Sequence, residues 1–291
     1  MSGVSLLAAI PPPPGNGFEI GPLDIRFYGL LIATGVLIAI TMTRRRYAAL
    51  GGDPDLADRI AFRVVLLGFV GARIAYVLPR LDDFADRPLA VFAIWEGGIA
   101  LFGGLTAAVL TGVWFLRRRQ GDLPAFADAV APAIPIAQAI GRWGNYFNQE
   151  LYGTPTDLPW ALQVDEGRRV APYQDFATFH PTFLYESLWN LSLAGFLIWL
   201  DRRGILPRGA LLFVYFIGYA VARFALELLR TDTTFRFLGL SRNGWFSLAV
   251  VAGAIIGLIV WTRRLGGTTD ADESSARNES EASTDSAEPA P

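Results

Sequence analysis

Apolar stretches of about twenty residues recur along this chain, and nothing else in it limits the possible folds as strongly. A helix needs roughly 20 residues to cross the hydrocarbon of a bilayer, and the same run in water would expose an apolar surface on every face. Seven such segments follow one another, at about Ile25–Thr43, Ile60–Leu78, Leu89–Leu116, Phe126–Phe147, Phe183–Leu200, Ala210–Leu229 and Trp245–Trp261. Of the 291 residues 52% are hydrophobic, which fits a chain surrounded by lipid better than a soluble domain of this length. The expected fold is an all-α, polytopic membrane protein of about seven transmembrane helices.

Arginine placement orients it. With the N-terminus outside, the inner segments hold twelve arginines, including the runs Arg44–Arg46 and Arg117–Arg119, and the outer ones hold eight. The positive-inside rule then predicts an outer N-terminus and a cytoplasmic C-terminus. Residues 1–24, with Pro11–Pro14, read as an extracytoplasmic lead-in without the basic start of a signal peptide. Residues 25–264 form the membrane domain, and its longest outer loop, about 150–182, has the length of a lid or binding element. Residues 265–291 carry seven acidic side chains against Arg277 amid Ser, Thr, Ala and Pro, and read as a disordered cytoplasmic tail.

Three absences narrow the chemistry. With no cysteine, the chain supplies neither a thiolate nucleophile nor a thiolate metal ligand. All 25 basic residues are arginine, so Schiff-base and P-loop lysines are missing. His180 is the one histidine, which excludes a multi-histidine metal site. No cofactor, metal or nucleic acid is expected.

Ionisable residues inside a span cost about 2.5–3.5 kcal/mol each on insertion scales, and so mark candidate sites. Arg73 and Arg142 lie near the outer ends of the second and fourth segments, and Arg223, Glu227 and Arg230 near that of the sixth. Tyr219, Arg223, Glu227 and Arg230 fall on one helical face. A structural ion pair, or arginines snorkelling to the interface, would produce the pattern at any single position. Taken together the arginines outnumber Glu227, and the surplus charge suits a visiting anion such as a phosphate headgroup. In the fourth segment Arg142, Asn145, Gln149 and Glu150 can share a helical side, with Gly141 and Gly144 permitting close approach. Buried amides bonding a neighbouring helix would look the same. The glycines of Trp95-Glu96-Gly97-Gly98 and Phe102-Gly103-Gly104 fit helix packing as well as a site. His180, Tyr185 and Glu186 open the fifth span at the membrane surface.

These residues resemble the bacterial phosphatidylglycerol–prolipoprotein diacylglyceryl transferases. Gly141-Arg142-Trp143-Gly144-Asn145-Tyr146-Phe147-Asn148-Gln149-Glu150-Leu151-Tyr152-Gly153 is similar to the family's signature G-R-x-G-N-x-x-N-x-E-x-x-G. Arg26-Phe27-Tyr28-Gly29, Gly71-Ala72-Arg73 with Tyr76, His180-Pro181 with Leu184-Tyr185-Glu186, and Arg223-Phe224 with Glu227 and Arg230 extend the likeness over most of the chain. The resemblance implies transfer of a diacylglyceryl group from phosphatidylglycerol to the lipobox cysteine of a prolipoprotein, with release of glycerol phosphate. It implies that this happens at the outer leaflet of the bacterial plasma membrane, among membrane lipid. It also implies catalytic roles for Arg142, Arg223, Tyr28 and His180, the two arginines holding the departing phosphate. The Glu227–Arg230 pair would orient Arg223. Asn145, Asn148, Glu150, Gly153, Arg73, Tyr76 and Tyr219 join Arg142, Glu227 and Arg230 as phosphatidylglycerol-binding positions.

There are two departures. Where members carry a histidine just before the second glycine pair of the third segment, this chain has Phe102, so no base sits there; Phe183 stands where many have glutamine. A thiol of pKa about 8.5 is only a few per cent ionised at pH 7, and surplus arginine charge would activate it, with His180 as helper. Two other readings compete. A transporter or flippase of an anionic lipid would suit the arginines but is expected to show internal repeats. An intramembrane protease would need an H-E-x-x-H or G-x-S-x-G pattern, which is missing.

Overall fold

The computed structural model describes residues 9–21, 23–93, 97–230 and 236–285, with side chains described as far as Arg264 and not at Arg236. It is helical, as its apolar segments require. The helices are α1 (Phe27–Ala49), α2 (Pro54–Val77), α3 (Leu101–Arg118), α4 (Leu123–Val130), α5 (Ala133–Asn148), α6 (Thr182–Arg203), α7 (Leu211–Glu227) and α8 (Arg242–Asp285). Among the described residues five stretches are long and apolar enough to cross a membrane: Phe27–Ala49, Pro54–Phe84, Leu123–Asn148, Thr182–Arg203 and Arg242–Arg264. The other two expected spans coincide with α3 and α7, of 18 and 17 residues. The tail expected at 265–291 falls where no side chains are described.

Local chemistry sets the boundaries. Pro54 opens α2 behind Asp53, whose carboxylate accepts from the Asp55 N–H at 2.9 Å. Asp122 caps α4 in the same way, through the Ala125 N–H at 2.9 Å. The fourth segment remains one apolar stretch, Leu123–Asn148, interrupted between α4 and α5 because Pro132 cannot donate into a continuing ladder. The third expected span also starts late. Gly97 and Gly98 have φ of 88° and 78°, a left-handed backbone no helix interior holds, so α3 begins only at Leu101.

Three short hairpins edge the bundle: β1 (Gly17–Ile20) with β2 (Leu23–Arg26), β3 (Leu162–Gln163) with β4 (Thr178–Phe179), and β5 (Arg236–Phe237) with β6 (Leu240–Ser241), each antiparallel. Short connections join α1 to α2, α3 to α4 and α6 to α7 at one end. The opposite end carries the longer segments 78–100, 149–181 and 228–241. Arg44–Arg46, in the last turns of α1, mark the first end, and Arg142 and Arg223 the second.

The main packing pairs are α2 on α3, α1 on α5, α7 on α8 and α5 on α6. Small residues let the first pair meet backbone to backbone. A Cβ on Gly71 would lie 2.9 Å from the Gly103 carbonyl oxygen, and one on Gly103 would lie 2.7 Å from that of Gly71. Gly103 and Gly104 are therefore packing glycines. Many large apolar side chains remain exposed, such as Leu37 and Phe62, as a lipid-facing surface requires.

Candidate active site

The site forms where α5, α6 and α7 reach the end of the bundle that carries the long segments. Helix α5 brings Arg142, whose Nε pairs with a Glu186 carboxylate oxygen at 2.6 Å; Glu186 sits in the first turns of α6, 5% exposed. Helix α7 brings Arg223, whose Nη2 pairs with Glu227 at 2.8 Å, one turn along the same helix. Glu186 and Arg223 line one small, partly open cleft with Trp189, Asn190 and Tyr219. Arg223 thus faces a cleft whose Glu186 carboxylate is the ion-pair partner of Arg142, so that Glu186, which the sequence does not single out as a binding residue, lies between the two predicted arginines. The signal for it was legible: an acid placed inside an apolar run.

Each arginine brings its own counter-charge, so the surplus of positive charge expected at this end is smaller than the residue count suggested. What remains is directional. The Nη1 of Arg223 is buried and, among the described residues, has no hydrogen-bond partner. A guanidinium nitrogen in that state is costly unless an acceptor arrives, and the fork shape favours paired oxygens. Among the described residues Arg142, with a fifth of its side chain exposed, has as its second bond a long contact from Nη1 to the Asn145 side-chain oxygen Oδ1, 3.4 Å.

Asn145, Asn148 and Glu150 form a compact group. One Glu150 oxygen accepts from the Asn145 amide at 2.9 Å and from that of Asn148 at 3.1 Å. The helix does not continue through Gln149, as the spacing argument required. Gln149 has φ 51° and ends α5, which turns its side chain to Asp165 in the long loop. Glu150 therefore reaches Asn145 by folding back after the helix end.

Tyr28, on the first turn of α1, lays its ring directly on Gly144; a Cβ there would meet Tyr28 Cδ2 at 2.2 Å. Only glycine lets the Tyr28 ring lie so close to α5, two residues from Arg142. Gly153 is packed equally hard. Its N–H donates to the His180 carbonyl at 3.0 Å, its backbone is bridged to Arg230, and a Cβ would lie 3.0 Å from the Leu229 carbonyl oxygen. It joins the long loop to the end of α7. Arg230 itself is buried beside it.

Arg73 lies elsewhere. Its guanidinium donates to the carbonyls of Ala90, Val91, Gly97 and Gly98 at 2.6–2.8 Å, and its ring neighbours are Tyr76 and Phe84. It clasps the α2–α3 connection, and Tyr76 packs under Gly98. Trp95 and Glu96 lie outside the described residues. Phe102, 70% exposed, meets Phe246 of α8 edge to face.

His180 precedes α6 within a short polar chain. The Trp160 indole donates to the Tyr185 hydroxyl at 3.0 Å, and that hydroxyl lies 3.2 Å from His180 Nδ1. Because the indole can only donate, the tyrosine proton is free to point at Nδ1, which places the imidazole hydrogen on Nε2. Burial holds the His180 pKa below its usual 6.5, so the ring is neutral at pH 7. Nearby Tyr152 is pushed upward by burial and anchors the loop, donating to the Arg168 carbonyl at 2.7 Å and accepting from the Val170 N–H at 2.8 Å.

Residues 16–261 match the model of the prolipoprotein diacylglyceryl transferase family. A phosphatidylglycerol–prolipoprotein diacylglyceryl transferase of Frankia alni is 46% identical over 262 residues, which cover 89% of this chain and 69% of that protein. One named transferase 2 from Streptomyces coelicolor is 43% identical over 262 residues, 89% of this chain and 82% of its own length. A third, from Synechococcus elongatus, is 42% identical over 266 residues, 89% of this chain and 91% of its own. With a membrane-embedded helical fold and a match over most of its length, the chain belongs to the prolipoprotein diacylglyceryl transferase family.

Proposed function

We propose that this protein transfers the diacylglyceryl group of phosphatidylglycerol to the thiol of a prolipoprotein's lipobox cysteine, at the outer leaflet of the bacterial plasma membrane. The relatives' names supply the reaction class and both substrates. One observation carries the assignment to this site: Arg223 lines a cleft at the α6–α7 interface with a buried Nη1 that has no partner. A phosphate oxygen would complete it.

The chemistry suits that arrangement. The cysteine thiolate attacks the glycerol carbon of the diacylglyceryl unit that bears the phosphodiester oxygen. The new C–S bond forms as the C–O bond breaks, and the electron pair leaves with glycerol phosphate. The leaving phosphate gains a negative charge in this step, so groups aimed at its oxygens lower the barrier more than they stabilise bound substrate. Arg223 and Arg142 would take this role, with Glu227 and Glu186 as their ion-pair partners. The Asn145–Asn148–Glu150 group borders Arg142 through Asn145, and Tyr28 packs on the same helix at Gly144; a glycerol headgroup or substrate backbone would lie along α5 there. His180 is neutral, its one basic nitrogen, Nδ1, accepting from Tyr185, so it would take a proton only through that hydroxyl, and Tyr219 would flank the phosphate.

The test is direct. Purified protein is incubated with phosphatidylglycerol and a lipobox peptide, and the peptide is weighed by mass spectrometry. A diacylglyceryl adduct on cysteine is expected, and its loss in Arg142→Ala and Arg223→Ala. A folded wild-type protein that makes no adduct ends this reading.

A further inference from the structure

The region that fixes Arg223 extends beyond α7. Glu227 is 5% exposed, and its two oxygens are used differently. Oε2 faces Arg223, while Oε1 accepts from the Ser241 hydroxyl at 2.7 Å and, at 3.4 Å, from the Asn243 amide. Ser241 is itself buried, and its Oγ also accepts from the Gly244 N–H at 3.0 Å. A serine bonding the N–H three residues on is a helix N-cap. One hydroxyl therefore starts α8 with its lone pair and holds Glu227 with its proton. No other group in a protein does both with so few atoms.

The consequence is mechanical. Glu227 held at Oε1 presents Oε2 to Arg223 Nη2 in one orientation, and that leaves Nη1 as the buried donor without a partner. Were Oε1 released, the carboxylate could rotate about its terminal torsion, which is broad. It could then engage both ends of the Arg223 fork, satisfying the donor that an incoming phosphate needs.

We infer that Ser241 is a positioning residue of the transfer reaction: through Glu227 it holds Arg223 with one nitrogen committed and the other open to the departing phosphate. This rests on the proposed transferase activity, which the wild-type adduct tests independently.

The experiment measures adduct formation by Ser241→Ala, Ser241→Thr, Glu227→Gln and the double variant Ser241→Ala/Glu227→Gln, with thermal melting of each. Ser241→Ala should lower kcat about tenfold and leave KM for phosphatidylglycerol within about twofold, because the lost hydrogen bond acts on transition-state charge. Ser241→Thr, which keeps the hydroxyl, should restore most of the rate. In the Glu227→Gln background Ser241→Ala should add little, since both act through one carboxylate. Wild-type turnover in Ser241→Ala overturns the inference and leaves the transferase reading intact. So does a Ser241→Ala loss that multiplies with that of Glu227→Gln and follows the melting temperature, which would be the capping role alone. No adduct from wild type overturns the transferase reading instead.

Discussion

Arg46 and Arg223 lie near the ends of α1 and α7, buried to the same extent, at opposite ends of the bundle. The Nη2 of Arg46 is shared between Asp201 at 2.9 Å and the Asp128 carbonyl at 3.2 Å, so its outer nitrogen ties α1 to α4 and α6. Asp128 in turn accepts the Gly209 and Leu211 N–H groups at 2.7 and 3.1 Å and starts α7. Arg223 makes its ion pair within its own helix and faces a pocket. Each has one buried nitrogen without a partner, the stem Nε of Arg46 and the tip Nη1 of Arg223. An orphan donor is therefore no mark of a site in itself. The difference lies in what the tip of the fork can reach: α4 and α6 in one case, the lining of a small cleft in the other.

Charge-conserving substitution should break the symmetry most clearly. Arg223→Lys keeps a cation but loses the fork, and adduct formation should fall on the order of 100-fold with little change in melting. Arg46→Ala should leave the rate per folded molecule unchanged and cost about 3 kcal/mol of stability, read from detergent-resistant melting, because Asp201 is stranded. Asp128→Ala is next. It leaves two N–H groups at the start of α7 unsatisfied and should cost about 2 kcal/mol, again with the chemistry per folded molecule intact. If either change abolished turnover in folded protein, the division between a structural end and a reactive end would fail.

The smallest effect concerns His180. Its pKa is depressed in the fold, so between the unfolded value of 6.5 and the lower folded value the unfolded chain binds more protons. The contribution is fully present above pH 6.5 and is lost as pH falls through the folded pKa. The melting temperature of wild type should therefore drop more than that of His180→Gln on going below pH 6.5. Equal slopes would contradict a buried, neutral ring.

How much of this was legible varies by element. Most helices were, because an apolar run and a capping residue such as Asp53 or Asp122 are local facts. The late start of α3 was not read, although Gly97 and Gly98 carried the signal, since a glycine pair fits either a helix crossing or a turn. Arg142 and Arg223 were legible as candidates because a charge inside an apolar run is anomalous. Glu186 carried the same anomaly and was undervalued. Ser241 carries the local signature of a cap before α8, but nothing local shows the bond of Ser241 or Asn243 to Glu227. Arg73 stood in the same class as Arg142, yet its guanidinium spends four bonds on the carbonyls of one connection.

By itself the sequence determined that this chain lives in a bilayer, which end gathers the loop arginines, and which few residues carry charge where water is scarce. Those properties follow from composition along short windows. Only the tertiary structure decided which arginine is a strut and which faces a cleft. The answer depends on partners far apart in the chain, Arg142 with Glu186 and Glu227 with Ser241, and the bonds of a guanidinium are set by whatever packing brings within 3 Å of it.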